Sequence, residues 1–333
     1  MPLAKRLLNR SKDLLFVPPL DRLWLRAMRG SVTCLLYHRV DEPDSHPFLS
    51  RGGVPLMTPA ELESDLVFLL DHDARFLSLE DLRLGRLPSA TEVGVVVTFD
   101  DCFKDNYTHG LGVLDKLGIK GVLFQTTGML DAQELIWEHA LYWLTRDDES
   151  ARQFELLAHE RLADVAGVRN AVGRELVVLL REHAPAARLI ELLSQAMEVM
   201  DPAGRSQQIA KTIYPSPADV IRASDAGHGI GSHGHRHFKR LNVPGDVFEA
   251  DLAKSFEVLT GLPGVKPTAF SYPFNSYAVH DDETCSRYFA QVFTSDRARI
   301  TRHSSPMWLP RYSWYGPAKN QRRKARWLLT GSI

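Results

Sequence analysis

Asp100 and Asp101 stand together just after the apolar run Val93-Gly94-Val95-Val96-Val97, and His233 and His237 stand four residues apart just after Gly229-Ile230-Gly231. One carboxylate with two imidazoles is a common donor set for a divalent cation that keeps positions open for water. A second carboxylate beside the first can take a proton from water that such a cation activates. Each fragment alone has an ordinary explanation. An Asp-Asp pair caps helices or sits in solvated turns, and a single histidine is usually a hydrogen-bonded core residue. Together, each at the end of an apolar, β-rich run, they predict a metal-dependent hydrolase. Asp101, His233 and His237 are then the ligands and Asp100 the base. His235, between the two histidines, is expected to point away from them and to be structural. Cys102 follows the acids but is read as a packing residue, because a nucleophilic thiol needs an activating environment.

The elements that must position these groups follow from the pattern of apolar runs. Candidate strands are 32–37, 93–99, 121–125, 229–232, 268–272, 291–294 and 308–312, with a short one near 75–77. Helical spacing fills the gaps at 59–70, 107–117, 217–226 and 247–261. Alternation of this kind gives parallel strands covered by helices. The fold class is therefore α/β: a distorted (β/α) barrel of seven or eight mainly parallel strands. In such barrels chemistry gathers at the C-terminal strand ends, where Asp100, Asp101, His233 and His237 all fall. Residues 131–215 break the rhythm. They are rich in Leu, Ala, Glu and Arg, and read as a helical insertion over one rim of the barrel. Within it, Glu138-His139 is read as lining a helix rather than as a further ligand pair.

The organisation expected is an N-terminal helical arm (1–30), the barrel (31–315, with its insertion at 131–215) and a basic C-terminal tail (316–333). Lys plus Arg total 40 against 41 Asp plus Glu, a formal net charge of −1, which argues against a nucleic-acid partner. Three widely spaced cysteines, Cys34, Cys102 and Cys285, form neither a disulfide framework nor a metal knuckle. No run approaches the ~20 apolar residues of a membrane span. A cytoplasmic protein is expected, with the basic, amphipathic ends offering peripheral contact with the inner membrane face.

These residues also resemble the motifs of the polysaccharide deacetylase family, carbohydrate esterases that include chitooligosaccharide deacetylases. Thr98-Phe99-Asp100-Asp101 is similar to the family's first motif. His233 to His237 is similar to the second, with Gly234 in place of its usual hydroxyl residue, a change expected to loosen the loop. Leu241 stands where the family has a packing leucine. The third motif is met in part by Ser271-Tyr272-Pro273-Phe274, which lacks the arginine that steadies the base; Arg311, ending another candidate strand, could supply that charge. The family's late Leu-x-His segment, which carries the catalytic acid, is absent. Leu36-Tyr37-His38-Arg39-Val40 instead resembles the opening of members with a permuted motif order, such as poly-N-acetylglucosamine deacetylases. That places the acid at His38, with His303 as the fallback.

The resemblance implies removal of N-acetyl groups from an amino-sugar-containing glycan or glycolipid, with cation-activated water as nucleophile. The catalytic set is Asp100, His38 and Arg311. Tyr272, Pro273 and Phe274 line the substrate, and the Phe274 N–H serves the oxyanion. The cation implied is Zn²⁺, with Co²⁺, Mn²⁺, Ni²⁺ or Fe²⁺ open. The partner is an N-acetylated glycan or lipid-linked saccharide. Two other readings stay open: a deformylase or other amidase on a lipid-linked amino sugar, and a non-catalytic glycan-binding barrel.

Overall fold

In a computed structural model the described residues are 26–43 and 45–313. Most of the expected N-terminal arm (1–30) and the whole expected tail (316–333) lie outside them. The chain opens with β1 (Val32–Tyr37) and the short β2 (Arg39–Val40), followed by α1 (Pro47–Gly52) and β3 (Leu56–Met57). Next come α2 (Pro59–Leu70), β4 (Ala74–Phe76), α3 (Leu79–Arg83) and β5 (Val93–Phe99). A π-turn (Asn106–Gly110) runs into α4 (Leu111–Lys116), and β6 (Gly121–Gln125) follows. The inserted segment carries α5 (Trp137–Leu144), α6 (Asp148–Arg161), α7 (Gly173–His183), α8 (Ala186–Met200) and α9 (Arg205–Ile213). The barrel resumes with α10 (Pro217–Asp225), β7 (Gly229–Ser232), α11 (Gly245–Thr260), β8 (Ala269–Ser271), α12 (Asp281–Ser286) and β9 (Gln291–Phe293). It ends with β10 (Trp308–Leu309) and β11 (Tyr312–Ser313).

Local chemistry sets several of these boundaries. Thr58 with Glu61, and Ser216 with Asp219, close reciprocal capping boxes at the starts of α2 and α10. Each helix also has proline in its first turn, where the missing N–H costs nothing. Strands β1 and β5 are buried along their whole length, as central parallel strands covered on both faces must be.

The main sheet runs β10-β9-β8-β7-β6-β5-β1-β11, with β4 also on β5, and every pairing in it is parallel. Its two ends, β10 and β11, are separated in the chain only by Pro310 and Arg311. The sheet therefore curls into a distorted (β/α) barrel whose last strand is split, pairing with β9 through its first half and β1 through its second. The continuous strand expected at 308–312 is corrected on this point. Proline cannot donate to a ladder, so the chain changes partner there.

Side-chain alternation along the strands decides what the barrel interior holds. Val32 and Cys34 of β1, Val96 of β5, Val122 and Phe124 of β6, Ala269 of β8, Phe293 of β9 and Leu309 of β10 form one buried cluster. Counting on by two from those positions reaches Leu36 and His38, Thr98 and Asp100, Ser271, and Arg311. Gly229 and Gly231 hold the matching positions on β7, leading to His233. A Cβ at Gly231 would lie 2.6 Å from the Phe124 ring and 2.9 Å from the Ala269 carbonyl, so only glycine fits there. The odd-numbered partners, such as Val95, Val97 and Phe99, face the covering helices with Leu62, Leu66 and Leu114. The inserted helices build a core of their own from residues such as Leu141, Phe154, Leu180 and Leu193, which also takes in Phe48 and Phe103 beside the barrel.

Candidate metal centre

The strand ends deliver four of the expected groups to one point. Asp101 Oδ1 lies 3.1 Å from His237 Nε2 and 3.4 Å from His233 Nε2. One donor atom from each of these three buried residues lies within 4.8 Å of the other two. Asp100, next in the chain, approaches His233 Nε2 at 3.8 Å through its Oδ2.

The histidine loop is pinned from several sides. The Asp251 carboxylate on α11 accepts the amide N–H groups of His235 (2.8 Å) and Arg236 (2.9 Å). Ser232 Oγ accepts the Gly234 N–H at 3.0 Å, and the Gly128 N–H donates to the His235 carbonyl at 2.8 Å. Gly234 has φ +78, and a Cβ there would meet Asp251 Oδ2 at 2.8 Å. The expected loosening by Gly234 is thus corrected: glycine is what lets the loop close onto Asp251. His235 turns outward to Thr127 Oγ1, 3.0 Å away. Leu241, expected to pack, is 63% exposed. Asp101, Cys102, His237 and Phe274 all take left-handed backbone angles between φ +56 and +63, conformations that cost energy and concentrate at functional sites.

Asp100 is held by Arg311, which is fully buried. Arg311 Nη1 donates to Oδ1 at 2.6 Å and Nη2 to Oδ2 at 2.8 Å. The same guanidinium reaches Thr98 Oγ1 (3.2 Å), Ser271 Oγ (2.5 Å) and the Thr294 carbonyl (3.2 Å). Burial alone would raise the Asp100 pKa, but the Arg311 and His233 charges outweigh it and leave the carboxyl below its ordinary range. Burial also opposes ionisation of Asp101, and there the His237 charge holds the carboxyl well down.

Glu138 corrects the reading of Glu138-His139 as mere helix lining. It enters from α5 of the insertion, and its Oε2 lies 3.0 Å from His237 Nδ1. The sequence carries a trace of this, since a glutamate stands among the apolar residues of Trp137-Glu138-His139-Ala140-Leu141-Tyr142-Trp143-Leu144. Burial resists charging His237, yet Asp101 and Glu138 outweigh it and lift the imidazole to about 10. Asp100 is matched by Arg311, but Asp101 and Glu138 concentrate negative charge on a buried imidazole that takes up a proton in response. The nitrogen and oxygen donor set suits a divalent first-row metal held in the same place.

These groups open into a cavity of about 300 Å³ that His38, Tyr272, Phe274, Asn275 and Arg181 also line. The His38 carbonyl accepts from Asn106 Nδ2 at 2.5 Å, fixing the end of β1 from the π-turn. Phe274 packs on His237 with ring centroids 4.8 Å apart. Pro273 is buried beside it. His303 is exposed and is not among the residues around the cavity. Cys102 is buried, with its thiol pushed well up by burial, as a packing residue would be.

The fold and site together describe a (β/α) barrel with a cluster of metal-ligating side chains at its C-terminal strand ends. A family model described as polysaccharide deacetylase matches residues 178–288, which takes in His233, His237 and Phe274 but not Asp100, Asp101 or His38. That match spans a third of the chain, which over those residues is similar to the polysaccharide deacetylase family. Among solved structures, IcaB from Ammonifex degensii is similar at 18% identity, with 90% of this chain and 98% of that one covered and a TM-score of 0.57. The deacetylase PplD from Streptococcus pyogenes, solved in complex with acetate, is similar at 14% identity, with 90% and 98% covered and a TM-score of 0.57. The BpsB deacetylase domain from Bordetella bronchiseptica is similar at 14% identity, with 85% and 96% covered and a TM-score of 0.51. No curated protein matches the chain in sequence.

Proposed function

We propose that the protein is a metal-dependent N-deacetylase acting on an N-acetylated, amino-sugar-containing glycan. The observation that carries this reading is the convergence of Asp101, His233 and His237 beside an Arg311-bound Asp100 in one open cavity. The order of the segments, with His38 just after the first strand and Arg311 between the two halves of the last, supports a permuted arrangement of the family's motifs.

Asp101, His233 and His237 would hold a divalent cation, Zn²⁺ before other first-row metals. When bound, it supplies Lewis acidity, lowering the pKa of nearby water and polarising an acetamide carbonyl. Asp100 receives the proton that water gives up as it attacks. Its two oxygens already accept three hydrogen bonds, from Arg311 and Ser271. A carboxylate offers about four acceptor positions, so one remains for that water. Arg311 keeps Asp100 ionised before the step and reduces its proton affinity, so the proton is passed on readily. The Phe274 peptide, turned left-handed at the cavity wall, donates to the developing oxyanion. His38 hands a proton to the departing amine. Burial lowers the His38 pKa against the pull of Asp101 and Asp100, which makes its protonated form the stronger acid.

The test is acetate release from a panel of N-acetylated and N-formylated amino-sugar oligomers, run on chelated protein and again after Zn²⁺ or Co²⁺ is restored. Metal-dependent acetate release supports the reading. Formate release alone would replace it with a deformylase, and no release with metal restored would overturn it. A cytoplasmic setting belongs to the same proposal. Partition of the whole chain between soluble and membrane fractions at varied salt tests whether its basic ends hold it to a membrane.

A further inference from the structure

Both ligand imidazoles present Nε2 to Asp101, and each has an acceptor oxygen close to its Nδ1. For His233 that acceptor is the neutral Ser271 carbonyl, 2.7 Å away on β8. For His237 it is the Glu138 carboxylate, whose Oε2 lies at ion-pair distance, 3.0 Å off, without the alignment of a full hydrogen bond. The other Glu138 oxygen accepts the Tyr142 hydroxyl at 2.5 Å, and that hydroxyl accepts from Arg181 Nη1 at 3.1 Å. Glu138, Tyr142 and Arg181 all come from the inserted segment. Glu138 itself is 5% exposed, so it has left water to stand behind His237.

We propose that Glu138 is a positioning residue for the metal centre: its carboxylate holds the His237 proton on Nδ1 and leaves Nε2 bare for the cation. A carboxylate behind a ligand histidine fixes ring orientation and tautomer and strengthens the ring as a donor. Tyr142 and Arg181 hold Glu138 in turn, so the inserted helices complete the metal site as well as covering the barrel rim. A lost Nδ1 partner leaves the ring free to rotate or to carry its proton on the wrong nitrogen. The inference rests on the reading of Asp101, His233 and His237 as the ligand set.

The experiment measures Co²⁺ affinity of the whole chain by competition with a chromophoric chelator, together with the visible Co²⁺ absorption band. Thermal unfolding of the metal-free proteins checks that each variant folds. Glu138→Ala should weaken Co²⁺ binding by about 100-fold and Glu138→Gln by about 10-fold, the span seen when such partners are removed. Both should change the absorption band. If the alanine variant does not fold, the near-isosteric glutamine variant carries the test. Binding within about threefold of wild type in a folded Glu138 variant, while His233→Ala loses the metal, overturns the role of Glu138 and leaves the ligand set standing. Tight binding by His233→Ala overturns the ligand set, and the inference with it.

Discussion

Replacing Arg311 with methionine tests how Asp100 is held. In the wild type the Arg311 guanidinium meets Asp100 at 2.6 and 2.8 Å, and the two side chains are 0% and 5% exposed. Removing one partner of a buried pair strands the other charge, at a cost of about 3–5 kcal/mol. Against a typical total of about 5–15 kcal/mol, that is a large share of the stability. Asp100→Asn should cost less, about 1–3 kcal/mol, because the guanidinium keeps Thr98, Ser271 and the Thr294 carbonyl. The double variant leaves neither charge stranded, so it should be more stable than the sum of the single losses by roughly 2–3 kcal/mol. Urea unfolding of the four metal-free proteins at neutral pH measures each term. The pH dependence carries a second signature. In wild type the folded Asp100 pKa lies below 3.8, so its contribution is present above that value and is lost as pH falls through the folded pKa. Without Arg311, burial acts unopposed by the guanidinium and raises the folded pKa. The gap between variant and wild type should then widen as pH rises through the carboxylate range. Additive losses within about 0.5 kcal/mol, with no such widening, would refute the pairing as the means of holding Asp100.

Two further outcomes follow. Asp100→Asn should keep the metal yet lose about 10²- to 10⁴-fold in acetate release, whereas His233→Ala should lose the metal as well; metal analysis and turnover on the same preparations decide it. Burial lowers the His139 pKa to about 4 from 6.5, so between those values the unfolded chain binds a proton that the folded chain refuses. Its stability contribution is complete above 6.5 and is lost as pH falls towards 4, on the order of 3 kcal/mol in all. His139→Gln should therefore flatten the acid limb of the metal-free stability profile, and an unchanged limb in urea titrations at stepped pH would count against it.

Strands β1, β5, β6 and β7 were legible because buried parallel strands read as short apolar runs with turn residues at their ends. The same parity that defines them carries His38, Asp100 and His233 to one end of the barrel. The split between β10 and β11 was not legible, because it depends on which sheet edge each half meets, and Pro310 marks only that something changes. Glu138 was hidden for a similar reason. Its role depends on the inserted helices folding back over His237, a contact that no local spacing encodes, and its charge among apolar neighbours was the one available trace. Gly234 misled because glycine suggests a slack loop, whereas its positive φ and the Asp251 carboxylate make it a requirement of a tight one.

The central claim is that Asp101, His233 and His237 hold a single cation between them. Anomalous diffraction at the Zn²⁺ or Co²⁺ edge, from crystals of the whole chain grown with that metal, measures this directly. The account predicts one strong peak shared by an Asp101 oxygen and the Nε2 atoms of both histidines, with Glu138 behind His237. Full metal loading in solution with no peak at those three residues, or with the peak elsewhere on the molecule, would contradict it.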